Sequence, residues 1–346
     1  MDFKKVAAIV AAAGALTALA IPAMAEITPY GSARMATFYN FQDIKTGTGQ
    51  TAGFDEHLQS NSRFGVDYTG GVVTGKVELG TGVNVRLLYG TWDFGAGTLV
   101  VGQDYNNYYL GSAQTHLDDN GNNGYGALWD TRQPQVKVNL KNGLYLSLIQ
   151  ATGNVNGDQF GANAEATSGL KMYMPKLNVG YKGKAGAVDY NAGVVGTTFK
   201  NVAAGKDVFA YLGYASGTAT FGATSLVANI SGSQNAGNLG FLNRVSYDAT
   251  NKKDSIGFEG YVQVTQKLSD MFSANLGFGY LGDKVDVTNK DKFDDRMLIF
   301  VNAPITLAKN VVVTPEVSYY DQLKDNTGAN ENKKAYAVGA QWKISF

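Results

Sequence analysis

Residues 336–346 read Tyr-Ala-Val-Gly-Ala-Gln-Trp-Lys-Ile-Ser-Phe, and they alternate without a break. Tyr336, Val338, Ala340, Trp342, Ile344 and Phe346 fall on one face. Ala337, Gly339, Gln341, Lys343 and Ser345 fall on the other. A period of two belongs to a β-strand with one apolar and one polar side. Such a strand needs a partner along its length. The economical partner is the first strand of the same chain, because that pairing closes a barrel and leaves no edge.

The other end of the chain carries a different pattern. Lys4 and Lys5 precede an apolar run from Val6 to Pro22, and Ala23-Met24-Ala25 follows. A basic start, a short apolar middle and an A-x-A site predict a secretory signal peptide over 1–25, cleaved before Glu26. Residues 26–346 are then expected to form a single domain.

Composition narrows the class. The chain has 29 Lys+Arg and 29 Asp+Glu, so it lacks the basic surface that a nucleic-acid partner would need. Cysteine is absent and there are only two histidines, His57 and His116, both in predicted loops. No metal site, cofactor or catalytic constellation is expected, and the chain does not read as an enzyme. Residues Asp118 to Gly124 begin like a calcium loop, but Asn123 and Trp129 stand where glycine and glutamate are required. After Ala25 no apolar run approaches the roughly 20 residues of a membrane helix. With 20 Tyr, 17 Phe and 43 Gly, the chain instead suits an all-β transmembrane antiparallel barrel, with aromatics at both interfaces.

Sixteen alternating segments are predicted. They are 26–41, 62–68, 72–79, 83–92, 98–103, 133–140, 144–151 and 170–182, then 187–199, 207–215, 218–230, 256–267, 271–281, 293–307, 311–320 and 335–346. Connections alternate between tight turns, such as Lys141-Asn142-Gly143, and long polar stretches, such as 42–61, 104–132, 152–169 and 231–255. Short turns on the periplasmic rim and longer extracellular loops are the plan of a membrane barrel. Pro175, Pro304 and Pro315 fall inside predicted strands, where each removes a ladder donor, so bulges or strand ends are expected there.

The alternation also assigns faces. Val136, Val138 and Leu140 oppose Gln135, Lys137 and Asn139; Val311, Val313 and Val317 oppose Thr314, Glu316 and Ser318. The polar face carries long charged side chains, so it is expected to line the lumen. By this rule Arg34, Arg63, Asp67, Lys137, Arg296, Glu316 and Lys343 point inward. Placing Val83, Val85, Leu87 and Tyr89 outside puts Arg86 inside as well.

The signal peptide, the sixteen alternating segments, the terminal aromatic strand and the long connection after the fifth strand together resemble a Gram-negative general (diffusion) porin. The resemblance implies a homotrimer in the outer membrane, contacting lipids and lipopolysaccharide, and passing small hydrophilic solutes by passive diffusion. It implies that Trp342, Ile344 and Phe346 form the signal read by the barrel-assembly machinery. It also implies that the third loop, 104–132, folds into the lumen and sets Asp104, Asp118, Asp119 and Asp130 against a basic wall. Here that wall would be Arg34, Arg63 and Arg86, and opposed charges would create a transverse field at the constriction. The alternatives are a solute-selective channel for an anion or small organic acid, and a plugged structural or adhesion barrel.

Overall fold

The computed structural model describes residues 25–44, 49–117, 124–151, 170–172, 174–201, 204–287 and 291–346. The predicted signal peptide lies outside them, apart from Ala25.

Strand segments follow one another along the whole described chain. They are β1 (Glu26–Ile44), β2 (Gly49–Leu58), β3 (Arg63–Gly70), β4 (Val73–Gly80), β5 (Val85–Asp93), β6 (Gly97–Tyr105), β7 (Arg132–Leu140), β8 (Leu144–Ile149), β9 (Leu170–Met172) and β10 (Lys176–Ala185). Then come β11 (Val188–Asn201), β12 (Lys206–Phe221), β13 (Thr224–Gln234), β14 (Ser255–Lys267), β15 (Ser273–Val285), β16 (Asp294–Asn302), β17 (Ile305–Ala308), β18 (Val311–Lys324) and β19 (Asn330–Ser345).

Three pairs of segments are single barrel strands with a break. Both β2 and β3 pair with β1, both β9 and β10 pair with β11, and both β16 and β17 pair with β18. Nineteen segments thus make sixteen antiparallel strands, and β1 pairs with β19 to close the sheet. Two of the three breaks hold a proline, Pro175 before β10 and Pro304 before β17. The missing N–H ends the ladder there, and pairing resumes beyond it. Pro315 is carried within β18, opposite Ala340.

One long connection differs from its expected form. Most of 42–61 is a continuation of the first hairpin, with Met35–Ile44 paired to Gly49–Leu58. The 19 residues of β1 amount to about 60 Å of strand at roughly 3.3 Å per residue. That exceeds an apolar band about 25 Å tall even at a tilt of about 45°, so this hairpin stands above the band.

Alternation sorts side chains as expected over most of the wall. Val136, Leu276, Val317 and Trp342 are exposed on the outer face, whereas Gln135, Asn275, Glu316 and Gln341 are buried inside. Strand β5 departs from the expected parity. Leu87 is 5% exposed and Leu88 53%, so Leu87 and Tyr89 turn inward and Leu88 and Trp92 outward. A bulge between Glu78 and Leu79 on β4 and Val85 to Leu87 on β5 causes this. The extra residue lets Arg86 and Leu87 both leave the outer face.

The expectation of a uniformly polar interior does not hold. Inward residues of β11 and β12, namely Val195, Phe199, Val208, Ala210 and Leu212, are buried in an apolar cluster. Tyr108 and Leu128 from the connection after β6 complete it, with Leu239, Phe241 and Tyr247 from the connection after β13. Two inward-folded loops therefore meet against β8 to β12 as a dry core inside the barrel.

Candidate functional site

Away from that dry core the inner face carries a group of cations on β1, β3, β5 and β19, beside a smaller apolar cluster of Ala36, Phe38, Leu298, Tyr320 and Ala337. Arg34 and Lys343 are register partners on β1 and β19, and Ser32 pairs with Arg63 on β3. Arg34 is close enough to Arg63 and Arg86 to be repelled by both, and Lys343 is within reach of Arg34 and Arg63.

A local chain irregularity holds them. The break between β2 and β3 is Gln59-Ser60-Asn61-Ser62, too polar to continue along a lipid-facing wall, and Gln59, Asn61 and Ser62 are buried. It forms a tight inward turn, in which Ser62 N donates to the Gln59 carbonyl at 3.0 Å. Its carbonyls then serve as acceptors: Arg63 Nε donates to Asn61 O at 3.0 Å and Arg86 to Ser60 O at 3.4 Å. Ser62 Oγ accepts from the Arg34 amide at 2.9 Å.

Glu78 on β4 lies among these cations. Its Oε1 accepts from Arg86 Nε at 2.8 Å, and its Oε2 accepts from the Tyr30 hydroxyl at 2.9 Å. Arg63 is 3.6 Å from the same carboxylate. Further along the wall Lys76 pairs with Asp67 at 2.6 Å and sits over the Tyr30 ring.

The facing side is the connection after β6. Tyr105 and Tyr109 stack with centroids 4.6 Å apart, and Trp129 tilts against both. Arg132 lies 5.6 Å from the Tyr105 and Trp129 rings. Burial pushes the Tyr109 hydroxyl up to about 12, with Tyr105 adding to the shift and Arg132, Arg63 and Arg86 opposing it. Tyr109 is thus the loop side chain within electrostatic reach of the basic wall.

The loop is also fastened to β18. Glu316 on β18 accepts from the Thr115 amide at 2.6 Å, the Thr115 hydroxyl at 2.9 Å and the His116 amide at 3.1 Å. Asn302 and Ser318 donate to the same carboxylate at 2.9 and 2.8 Å. Gln59 Nε2 donates to the Thr115 carbonyl at 2.7 Å, which ties the inward turn to the loop. Gly126, at φ +105°, brings the returning backbone against the Gly260 carbonyl, where a Cβ would collide.

The other expected residues take varied places. Asp104 pairs with Lys137 at 2.7 Å on the wall between β6 and β7. Asp130 is 2% exposed in the dry core, where Lys176 reaches it at 2.7 Å and Asn106 and Tyr108 donate to it. Its charge is therefore spent on fastening the loop. Asp118 and Asp119 lie outside the described residues. Arg296 pairs with Asp294 at 3.2 Å. Trp342, Ile344 and Phe346 all face outward, and the Phe346 amide and carbonyl both bond Gly31.

No family model and no curated protein matches the sequence. Among solved structures, the outer-membrane channel DcaP of Acinetobacter baumannii is similar at TM-score 0.72 and 21% identity, over 93% of this chain and 97% of that one. An anion-selective porin from Comamonas acidovorans is similar at TM-score 0.59 and 10% identity, over 93% and 100%. OmpT of Vibrio cholerae, known also in a trimer form, is similar at TM-score 0.58 and 16% identity, over 93% and 98%. The fold is that of the outer-membrane porins.

Within this porin fold, two groups escaped the sequence reading. Glu78 and Lys76 share a parity opposite Val77 and Leu79, so the alternation already pointed to them. Nothing local marks the inward turn at 59–62, because a run of Gln, Ser and Asn reads equally well as an exposed loop.

Proposed function

We propose that the protein is an outer-membrane channel through which small hydrophilic solutes diffuse passively, with a preference for anions. The observation that carries this is the wall of Arg34, Arg63, Arg86 and Lys343, in which, among the described residues, Glu78 is the carboxylate paired with Arg63 and Arg86. Such a wall beside an inward loop raises the local concentration of anions and repels cations. No bond is made or broken in this process, so no catalytic residue is assigned. If Asp118 and Asp119 reach the opening they complete the transverse field; replacing both with Asn then strengthens anion preference.

The test is recording in a planar bilayer under a potassium chloride gradient. Stable open steps with a reversal potential of anion-selective sign are expected. A cation-selective sign removes the preference, and absence of open steps removes the channel. That last outcome favours a second reading, a plugged structural or adhesion barrel, which the dry core contributed by two loops supports.

Assembly belongs to the same proposal. The chain is taken to be exported by its signal peptide, inserted by the barrel-assembly machinery through Trp342, Ile344 and Phe346, and assembled as a trimer among lipids and lipopolysaccharide. Deleting Phe346 should lower the yield of heat-modifiable trimer several-fold. Normal trimer from that deletion would remove the assembly role.

A further inference from the structure

Glu78 has three partners from three different strands: Tyr30 from β1, Arg63 from β3 and Arg86 from β5. The carboxylate is buried, and both of its oxygens are engaged. The bulge that places Arg86 inside occurs where β5 passes Glu78. Two guanidinium groups are thus held to the wall by one carboxylate between them.

We propose that Glu78 is the specificity-determining residue of the constriction, holding Arg63 and Arg86 against the wall and cancelling one of the four positive charges there. This rests on the anion-channel reading and adds to it how the strength of preference is set. A conducting site must attract its solute enough to admit it and weakly enough to release it. With Glu78 in place, Arg63 and Arg86 spend donors on the wall, and a passing anion finds an attractive field without a closed cage of donors. Without it, both guanidiniums keep only their bonds to the Asn61 and Ser60 carbonyls, their remaining donors are open to the solute, and the local charge rises by one. Anions then enter more readily and leave more slowly, and multivalent anions are retained most.

The experiment compares wild type with Glu78→Gln in bilayers, reading the reversal potential in a potassium chloride gradient and the block of chloride current by added sulfate. In the variant the anion-to-cation permeability ratio should rise up to about tenfold, because a unit charge about 6 Å away in water changes anion and cation occupancy about threefold each, in opposite directions. Sulfate should block at a correspondingly lower concentration. Glu78→Asp, which keeps the charge, should stay close to wild type in its permeability ratio. Glu78→Gln breaks a buried ion pair, so the same comparison is made of Arg86→Gln with Arg86→Gln/Glu78→Gln, where that pair is already gone. The same direction of change is expected in that background. An anion-selective wild type with unchanged reversal potential and sulfate block on removing Glu78, in whichever background assembles, overturns the role of Glu78. A wild type that is not anion-selective overturns instead the reading beneath it.

Discussion

Inward positions on β11 and β12 carry Val195, Phe199, Val208 and Leu212, while inward positions on β1, β3 and β5 carry Arg34, Arg63 and Arg86. Both sets occur at the same period of two and lie on the same side of one closed sheet. What differs is what each sector meets. The first is covered by Tyr108, Leu128, Leu239 and Phe241 from two loops, and burying those side chains together removes apolar surface from water. The second meets Tyr109 and the polar turn at 59–62, and its buried charges are tolerable only because they have partners, as Arg86 has in Glu78 and the Ser60 carbonyl. The inner face of a barrel is therefore not one environment: one sector packs as an apolar core and the other as a network of paired charges.

That contrast can be broken by experiment. The largest effect is expected from Lys176→Met, which strands Asp130 in the dry sector. Folding should lose about 3–5 kcal/mol in denaturant titration, and adding Asp130→Leu should recover most of it. Leu212→Ala should cost about 2–5 kcal/mol by leaving a cavity, while the reversal potential stays at its wild-type value. Glu316→Ala removes the carboxylate that the Thr115 and His116 amides donate to, at a net cost of about 1.5–3 kcal/mol. The loop end at Thr115 and His116 is released, so flickering single-channel current is expected over a barrel that still assembles. Smallest in stability is Arg63→Gln, within about 0.5 kcal/mol as for a partly exposed site, yet its anion-to-cation permeability ratio should fall by up to about tenfold. If Arg63→Gln unfolded the barrel as Leu212→Ala does, or Leu212→Ala shifted selectivity as Arg63→Gln does, the two sectors would not be distinct.

The described parts of the two loops are fixed to the wall by different means. The connection after β6 is held at Glu316 by neutral donors, and through its Asp130 by Lys176 of β10. The connection after β13 is held by Arg244, which reaches Glu259 at 2.9 Å and Asp283 at 2.8 Å. None of these pairings joins neighbours in sequence. Asp130 and Lys176 stand far apart in the chain, and each reads alone as an ordinary surface charge. The sequence view of Asp130 as a pore acid failed to foresee its burial, since no local pattern tells a carboxylate at the opening from one sunk in packing.

Parity was legible where strands are regular and was lost where they are not. From Tyr336 to Phe346 every residue faces the side that alternation assigns. On β5 one inserted residue inverted the faces of Leu87 and Leu88, and Arg86 kept its inward place only because the bulge admits two neighbours to one side. Pro175 and Pro304 marked their breaks in advance, because a missing N–H is a property of the residue itself. Gln59 to Ser62 did not, because their turn exists only against Arg34, Thr115 and Gln341.

By itself, then, the amino-acid order determined the strand count, the closure of β19 on β1 and most inside-outside assignments, since these follow from a two-residue period and from where backbone donors are missing. Only the tertiary structure decided which part of the interior is dry, which acids fasten loops and which cations gather around Glu78. Those outcomes depend on groups far apart in the chain meeting across the barrel, and distance through space is not written in the spacing of residues.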